Sequence, residues 1–285
     1  MRTLSRIRGL VLASFAAATL IVPAAPTAVA APAADDVSPV EGAHAHNDYL
    51  HARPLHDALD HGFTSVEADV WLADGQLCLG HAAPDCRKTL EGNYLEPLAE
   101  RVAGRAGSVY AGWAGTFQLL IDVKSDGPTT WPVIEKALAA HPELITHWED
   151  GVRTPAPVMA VISGKRSLYQ IASAKTRWSA YDGGLGDLDR GLSPELMPMV
   201  SGDWWETFTW RGGYPLPADQ KARLEGYAAT ARKHGYTLRF YGTPDLDDPA
   251  TAAKRRNVWD AEKAAGVHWL NSDNLAVLES YLRAR

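Results

Sequence analysis

Two histidines and three carboxylates in the first half of the chain have the types and spacing needed to cleave a phosphodiester. His44, His46 and Asn47 follow a short apolar run, and Glu67 and Asp69 stand two apart in Ser65-Val66-Glu67-Ala68-Asp69-Val70. Asp122 and Lys124 also stand two apart, and His81 follows the turn pair Asp74-Gly75. Residues two apart on a strand point to the same face, so each pair projects one way. Two acids held that close repel unless a cation lies between them. A divalent metal meets the need, and an all-oxygen set of Glu67, Asp69 and Asp122 suits Mg²⁺ or Ca²⁺ better than zinc. A plain ion pair with Lys124 or an arginine is the structural alternative. Phosphodiester cleavage also needs a base for the nucleophile and an acid for the leaving oxygen, and a histidine pair can serve as both near neutral pH. His44 and His81 are the expected pair; because His44 and His46 alternate about Ala45, the choice between them stays open.

Such groups need a scaffold that gathers strand ends. Strand-like runs at 40–44, 64–72, 116–123, 158–162, 177–181, 198–201, 237–241 and 267–270 alternate with helical segments at 54–61, 95–105, 132–140, 166–172, 217–234, 252–265 and 276–283. A hairpin return at 76–80 follows Asp74-Gly75. Regular alternation implies parallel strands joined by helical crossovers. Eight repeats in about 255 residues favour a single-domain (β/α)8 TIM-type barrel over 39–285, ahead of an open doubly wound sheet. In a barrel the working residues sit at the C-terminal strand ends. That filter adds His46, Asn47, Lys124, Arg239, Tyr241, Trp269 and Asn271 as substrate contacts, with Asp182 a weaker candidate. The aromatic stretch 202–211 is expected either to cradle a cationic or acyl group or to pack the barrel top.

The N-terminus reads as an export signal: Arg2, Arg6 and Arg8 precede an apolar run, and Ala28-Val29-Ala30 is a small-residue cleavage site. Segment 1–30 is the expected signal peptide and 31–38 a disordered Ala/Pro/Asp-rich leader. Losing three arginines takes the net charge from −6 to −9, which argues against nucleic acid as a partner. In an exported chain the close pair Cys78 and Cys86 predicts a disulfide.

The segments His44-Ala45-His46-Asn47-Asp48-Tyr49, Ser65 to Leu72, Asp74-Gly75, Gly80-His81, Arg87-Lys88-Thr89-Leu90, Tyr94 to Leu98 and Trp269-Leu270-Asn271-Ser272-Asp273 resemble the phosphatidylinositol-phospholipase-C-like phosphodiesterase superfamily. The altered-inheritance-of-mitochondria protein 6 branch, akin to glycerophosphodiester phosphodiesterases and sphingomyelinase D, is the nearest. The resemblance implies a barrel and a metal-dependent phosphodiesterase, with His44 and His81 as acid and base. It implies Glu67, Asp69 and Asp122 as ligands of one Mg²⁺ or Ca²⁺, and Lys124 as a phosphate contact. The implied partner is a small-molecule or lipid phosphodiester, met by a secreted monomer in transient contact with a membrane surface. The chain departs from the glycerophosphodiesterase pattern, with His44-Ala45-His46 in place of His-Arg-Gly, and lacks the C-terminal Asp-Asn-Pro-Trp motif of bacterial sphingomyelinase D. The head group is therefore undetermined.

Two other readings stand beside this one. The pair His44 and His46 also suits a metal-dependent amidohydrolase or two-metal phosphoesterase, which calls for further histidines at later strand ends. A secreted, inactive barrel that binds lipid or sugar is the third.

Overall fold

Alternation of side chains across a parallel sheet organises the molecule. In the computed structural model, which describes residues 37–284 apart from residue 247, the strands are β1 (Val40–Ala45), β2 (Phe63–Ala73), β3 (Gln76–Leu79), β4 (Asp85–Thr89), β5 (Phe117–Val123), β6 (His147–Glu149), β7 (Val152–Thr154), β8 (Val158–Gly164), β9 (Thr176–Arg177), β10 (Ser179–Gly184), β11 (Met199–Asp203), β12 (Thr237–Tyr241) and β13 (Leu270–Ser272). The helices are α1 (His56–Asp60), α2 (Glu96–Gly104), α3 (Gly127–Ala139), α4 (Leu168–Ser173), α5 (Trp204–Thr207), α6 (Ala218–His234), α7 (Pro249–Ala265) and α8 (Leu275–Arg283). The expected signal 1–30 and residues 31–36 of the leader lie outside the described residues. At the leader's end the Ser38 carbonyl accepts a hydrogen bond from Arg283 at 2.7 Å.

The central sheet runs β12-β11-β10-β8-β5-β2-β1-β13, with every neighbour in that order parallel. β3 and β4 add to it antiparallel, and β7-β6-β9 form a separate small sheet. The two outermost strands of the order, β12 and β13, meet through one parallel bridge, Arg239 to Trp269. The fold is thus mixed α/β around a mostly parallel sheet, and the described residues belong to one compact unit.

One face of these strands carries Val66, Ala68, Val70, Leu119, Ile121, Val123, Ala160 and Ile162, all in the main core. The other face carries Leu120, Val161, Ala180, Met199 and Trp269, a second and smaller core. The next inward level holds Asp69, Asp122 and Ser163 in direct register. Burial of apolar side chains on the first face anchors the strands, which leaves the second face free to hold polar groups at its upper level.

Local chemistry sets the element limits. Asp74 (φ 48°) and Gly75 (φ 79°) are both left-handed, as a two-residue hairpin turn requires, and they return β3 onto β2. The helix expected over 132–140 begins earlier, at Gly127, because the Asp126 side chain accepts from the Thr129 N–H and caps it. The strand expected over 267–270 begins later, at Leu270, because the Val267 N–H bonds back to Glu262 in the turn that ends α7 at Gly266. The expected eight strand–helix repeats are incomplete among the described residues: the β10–β11 connection holds a 3₁₀ turn, Leu185–Asp187, and no α-helix.

Candidate active site

β2 and β5 place three carboxylates side by side. One oxygen from each of Glu67, Asp69 and Asp122 lies within 4.8 Å of the others, and this is the one group of three or more acidic, histidine or cysteine ligands so arranged among the described residues. Lys124 Nζ lies 3.0 Å from Asp69 and 3.3 Å from Asp122. On the other side Arg239 approaches Glu67 at 3.1 Å and is itself steadied by Asn271 at 2.9 Å. Burial, reinforced by Glu67, pushes the Asp122 carboxyl up to about 6. Burial would do the same to Glu67, but Arg239, His46 and His44 hold it well below the usual carboxylate range. Asp122 Oδ1 makes no hydrogen bond although buried. An all-oxygen cluster with an unsatisfied buried oxygen fits a hard divalent cation.

The two expected histidines are placed very differently. His81 is 69 % exposed at its side chain and its Nδ1 lies 2.8 Å from Asp69 Oδ2. The same oxygen accepts from the Tyr49 hydroxyl at 2.8 Å. The loop bearing His81 is closed by the disulfide Cys78–Cys86 between β3 and β4. His44 is completely buried; its Nδ1 meets Ser65 Oγ at 2.6 Å and its Nε2 has no partner, 3.9 Å from Glu67. Burial and the nearby Arg239 lower its pKa to about 3, so it stands neutral inside the protein. His46 is the accessible member of the pair. Its Nε2 lies 3.6 Å from Glu67 and its Nδ1 lies 2.7 Å from Asp273 Oδ1. Burial works against a charge on His46, but Glu67 and Asp273 outweigh it and raise the pKa.

Asn47, left-handed at φ 50°, lets the chain turn sharply after β1. Its backbone N–H reaches Glu67 at 3.4 Å and its side-chain amide reaches Asp273 at 3.2 Å. Asparagine tolerates this conformation better than most residues.

A cavity of about 820 Å³ joins His46, Asn47, Glu67, Asp69, His81, Asp122, Lys124, Arg239 and Tyr241. Of the expected site residues, His44, Trp269 and Asn271 do not line it: they stand behind the wall, Trp269 within the small inner core and Asn271 against Arg239. Ser163, Arg166 and Ser201 line the cavity as well and were missed, because a serine or arginine at the end of an apolar run carries no distinctive spacing. Asp182, the weaker candidate, is part of the lining. The aromatic stretch is mostly packing: Trp204, Phe208 and Trp210 are buried and cluster on Phe240. Trp205 alone of these tryptophans is well exposed, at 57 %, with Arg211 stacked over it at 3.9 Å.

The remaining histidines do not build a second metal centre. His61 pairs with Glu279, His141 with Glu91, and His147 stacks on Trp178.

Fold and site together define an α/β protein with a carboxylate and histidine centre at the C-terminal ends of parallel strands. The chain belongs to the AIM6-like phosphodiesterase domain family, whose model matches residues 32–182. It is 30 % identical over 266 residues to an altered inheritance of mitochondria protein 6 homolog of Arthroderma benhamiae, an alignment covering 84 % of this chain and 82 % of that protein. It is 26 % identical over 278 residues to altered inheritance of mitochondria protein 6 of Eremothecium gossypii, covering 86 % and 70 % respectively. The family resemblance read from His44 to Asp273 thus holds, and it supports a phosphodiesterase-like enzyme.

Proposed function

We propose that this chain is an exported, metal-dependent phosphoric diester hydrolase acting on a small-molecule or lipid phosphodiester. One observation carries the reading: two accessible histidines, His46 and His81, stand on different members of a single carboxylate cluster. Glu67, Asp69 and Asp122 would hold one Mg²⁺ or Ca²⁺, which when bound neutralises charge on the phosphate oxygens as the transition state forms. Carboxylates only accept hydrogen bonds, so Asp273 and Asp69 favour a proton on Nδ1 of His46 and of His81. Nε2 of each ring is then the atom that exchanges a proton. One ring takes the proton of the attacking oxygen and the other gives one to the leaving oxygen. Lys124, Arg239, Tyr241 and Asn47 bind and orient the phosphate and its substituents. In this reading His46 takes the acid–base role for which His44 was the other candidate, and His44 supports it from within.

The Arg239–Trp269 bridge between β12 and β13 supports closure of the sheet into a (β/α)8 TIM-type barrel. The Cys78–Cys86 bridge supports export, because disulfides persist in oxidising compartments. No described helix is long and apolar enough to cross a membrane. A secreted monomer in transient contact with lipid surfaces, without nucleic acid, accords with the acidic mature charge and with Trp205 standing exposed beside Gly242.

The test is release of the leaving group from bis(p-nitrophenyl) phosphate, glycerophosphodiesters and phospholipids, with Mg²⁺, Ca²⁺ or chelator. Metal-dependent turnover by the wild type that disappears in His81→Ala and Asp122→Asn supports the reading. A folded, metal-binding protein that turns over none of these substrates overturns it.

A further inference from the structure

Asp182 ends β10, two strands round the sheet from Asp122 with Ser163 between them. Its side chain is fully buried and yet lines the cavity. One carboxyl oxygen, Oδ2, accepts from the Ser163 hydroxyl at 2.8 Å; the other, Oδ1, has no hydrogen-bond partner. Arg166 does not complete it with its Nε–H, which donates to the main-chain carbonyl of Asp182. Ser201 lines the same stretch of wall from β11. None of these groups belongs to the carboxylate cluster, and the proton transfers described above do not use them.

An unmatched acceptor on a buried carboxyl disfavours the fold, so such an atom points to a partner that arrives from outside. The partner must donate, because Asp182 Oδ1 accepts. A quaternary ammonium has no N–H and cannot serve. An alcohol can donate to Asp182 and at the same moment accept from a serine hydroxyl, which matches the mixture of groups present.

Resting on the phosphodiesterase reading, we infer that Asp182, with Ser163 and Ser201, forms a subsite that binds a hydroxyl of the substrate next to its phosphate, and that the enzyme selects hydroxyl-bearing phosphodiesters over deoxy analogues. A site built to hydrogen-bond a hydroxyl rejects ligands that lack it, since their binding leaves the buried acceptor unpaired.

The experiment is calorimetric binding of glycerol phosphate and of propyl phosphate, with Mg²⁺ or Ca²⁺, to wild type, Asp182→Asn and Asp182→Ala, each checked by thermal melting. The wild type is expected to bind glycerol phosphate at least about tenfold more tightly than propyl phosphate. Asp182→Ala should reduce that preference to less than about twofold, with Asp182→Asn intermediate because it keeps one acceptor. Equal wild-type affinities, or no binding of either ligand, overturn the subsite. Bis(p-nitrophenyl) phosphate turnover, measured in parallel on the wild type, separates the two claims: preference without turnover sinks the reaction and leaves the subsite standing, and turnover without preference does the reverse.

Discussion

His46 lies between two carboxylates, with Nδ1 2.7 Å from Asp273 Oδ1 and Nε2 3.6 Å from Glu67 Oε2. Asp273 is itself held, since its backbone N–H donates to Asp245, which also takes the Ser272 hydroxyl at 3.0 Å and Arg255 at 3.3 Å. The arrangement fixes the ring and raises its proton affinity, as a base or acid working near neutral pH requires.

His46→Ala is therefore expected to lower kcat by about 10²–10⁴-fold with little change in melting temperature. His44→Ala should show the opposite balance. It removes a buried ring bonded to Ser65 and should cost about 1–3 kcal/mol of stability. Paired rate and melting measurements check both, and a His46→Ala enzyme with wild-type turnover would remove His46 from the mechanism.

Gly164, at φ +67°, faces Asp122: a Cβ there would stand 2.1 Å from Asp122 Oδ1 and 2.5 Å from the Val123 carbonyl. Gly164→Ala should push Asp122 out of the cluster and weaken divalent metal binding by about 10–100-fold, the usual penalty for disturbing the support of a metal ligand. Metal titration by calorimetry reads the effect, and unchanged affinity would count against Asp122 as a ligand.

Metal binding should depend on pH through Asp122. Its folded-state pKa, pushed up by burial to about 6 from 3.8, exceeds the unfolded value, so the metal-free folded protein holds the extra proton between those values. Stability of the metal-free protein from this group then falls as pH rises from about 4 through about 6. Metal competes with that proton, so affinity for Mg²⁺ or Ca²⁺ should climb between pH 5 and pH 7 and level off above. Melting-temperature shifts induced by metal should be larger at pH 7.5 than at pH 5, and Asp122→Asn should abolish the difference.

The Cys78–Cys86 bridge ties down the loop that carries His81. Its loss in a Cys78→Ser/Cys86→Ser double variant should cost at most about 2–3 kcal/mol, given the short span closed. Turnover should fall further than stability does, because His81 would no longer be held against Asp69. Comparing kcat with denaturant unfolding distinguishes the two, and a variant that loses stability with full turnover per folded molecule would show that the bridge is only structural.

Much of this was legible in local pattern. Glu67, Asp69, Asp122 and Lys124 alternate with apolar residues at period two, and strand geometry alone sends them to one face, where the cavity lies. The disulfide follows from a close cysteine pair, and most strands and helices follow from periodicity and capping. Less legible was which histidine of His44 and His46 reaches the cavity. Both can alternate inward on an extended strand. β1 ends at Ala45, and the left-handed Asn47 turns the chain so that His46 emerges above Glu67 while His44 stays buried beneath it.

The residue order by itself determined the kind of chemistry, the carboxylate set and the strand-and-helix alternation, because each depends on residue type and on neighbours a few positions away. The tertiary structure decided the rest. It paired His46 with Asp273, 227 positions distant, set Arg239 against Glu67, placed Trp269 in the inner core, and left Asp182 with an open acceptor in the cavity wall. These contacts join strands far apart in the chain, and only register, side-chain burial and the path of each connection bring such groups within hydrogen-bonding reach.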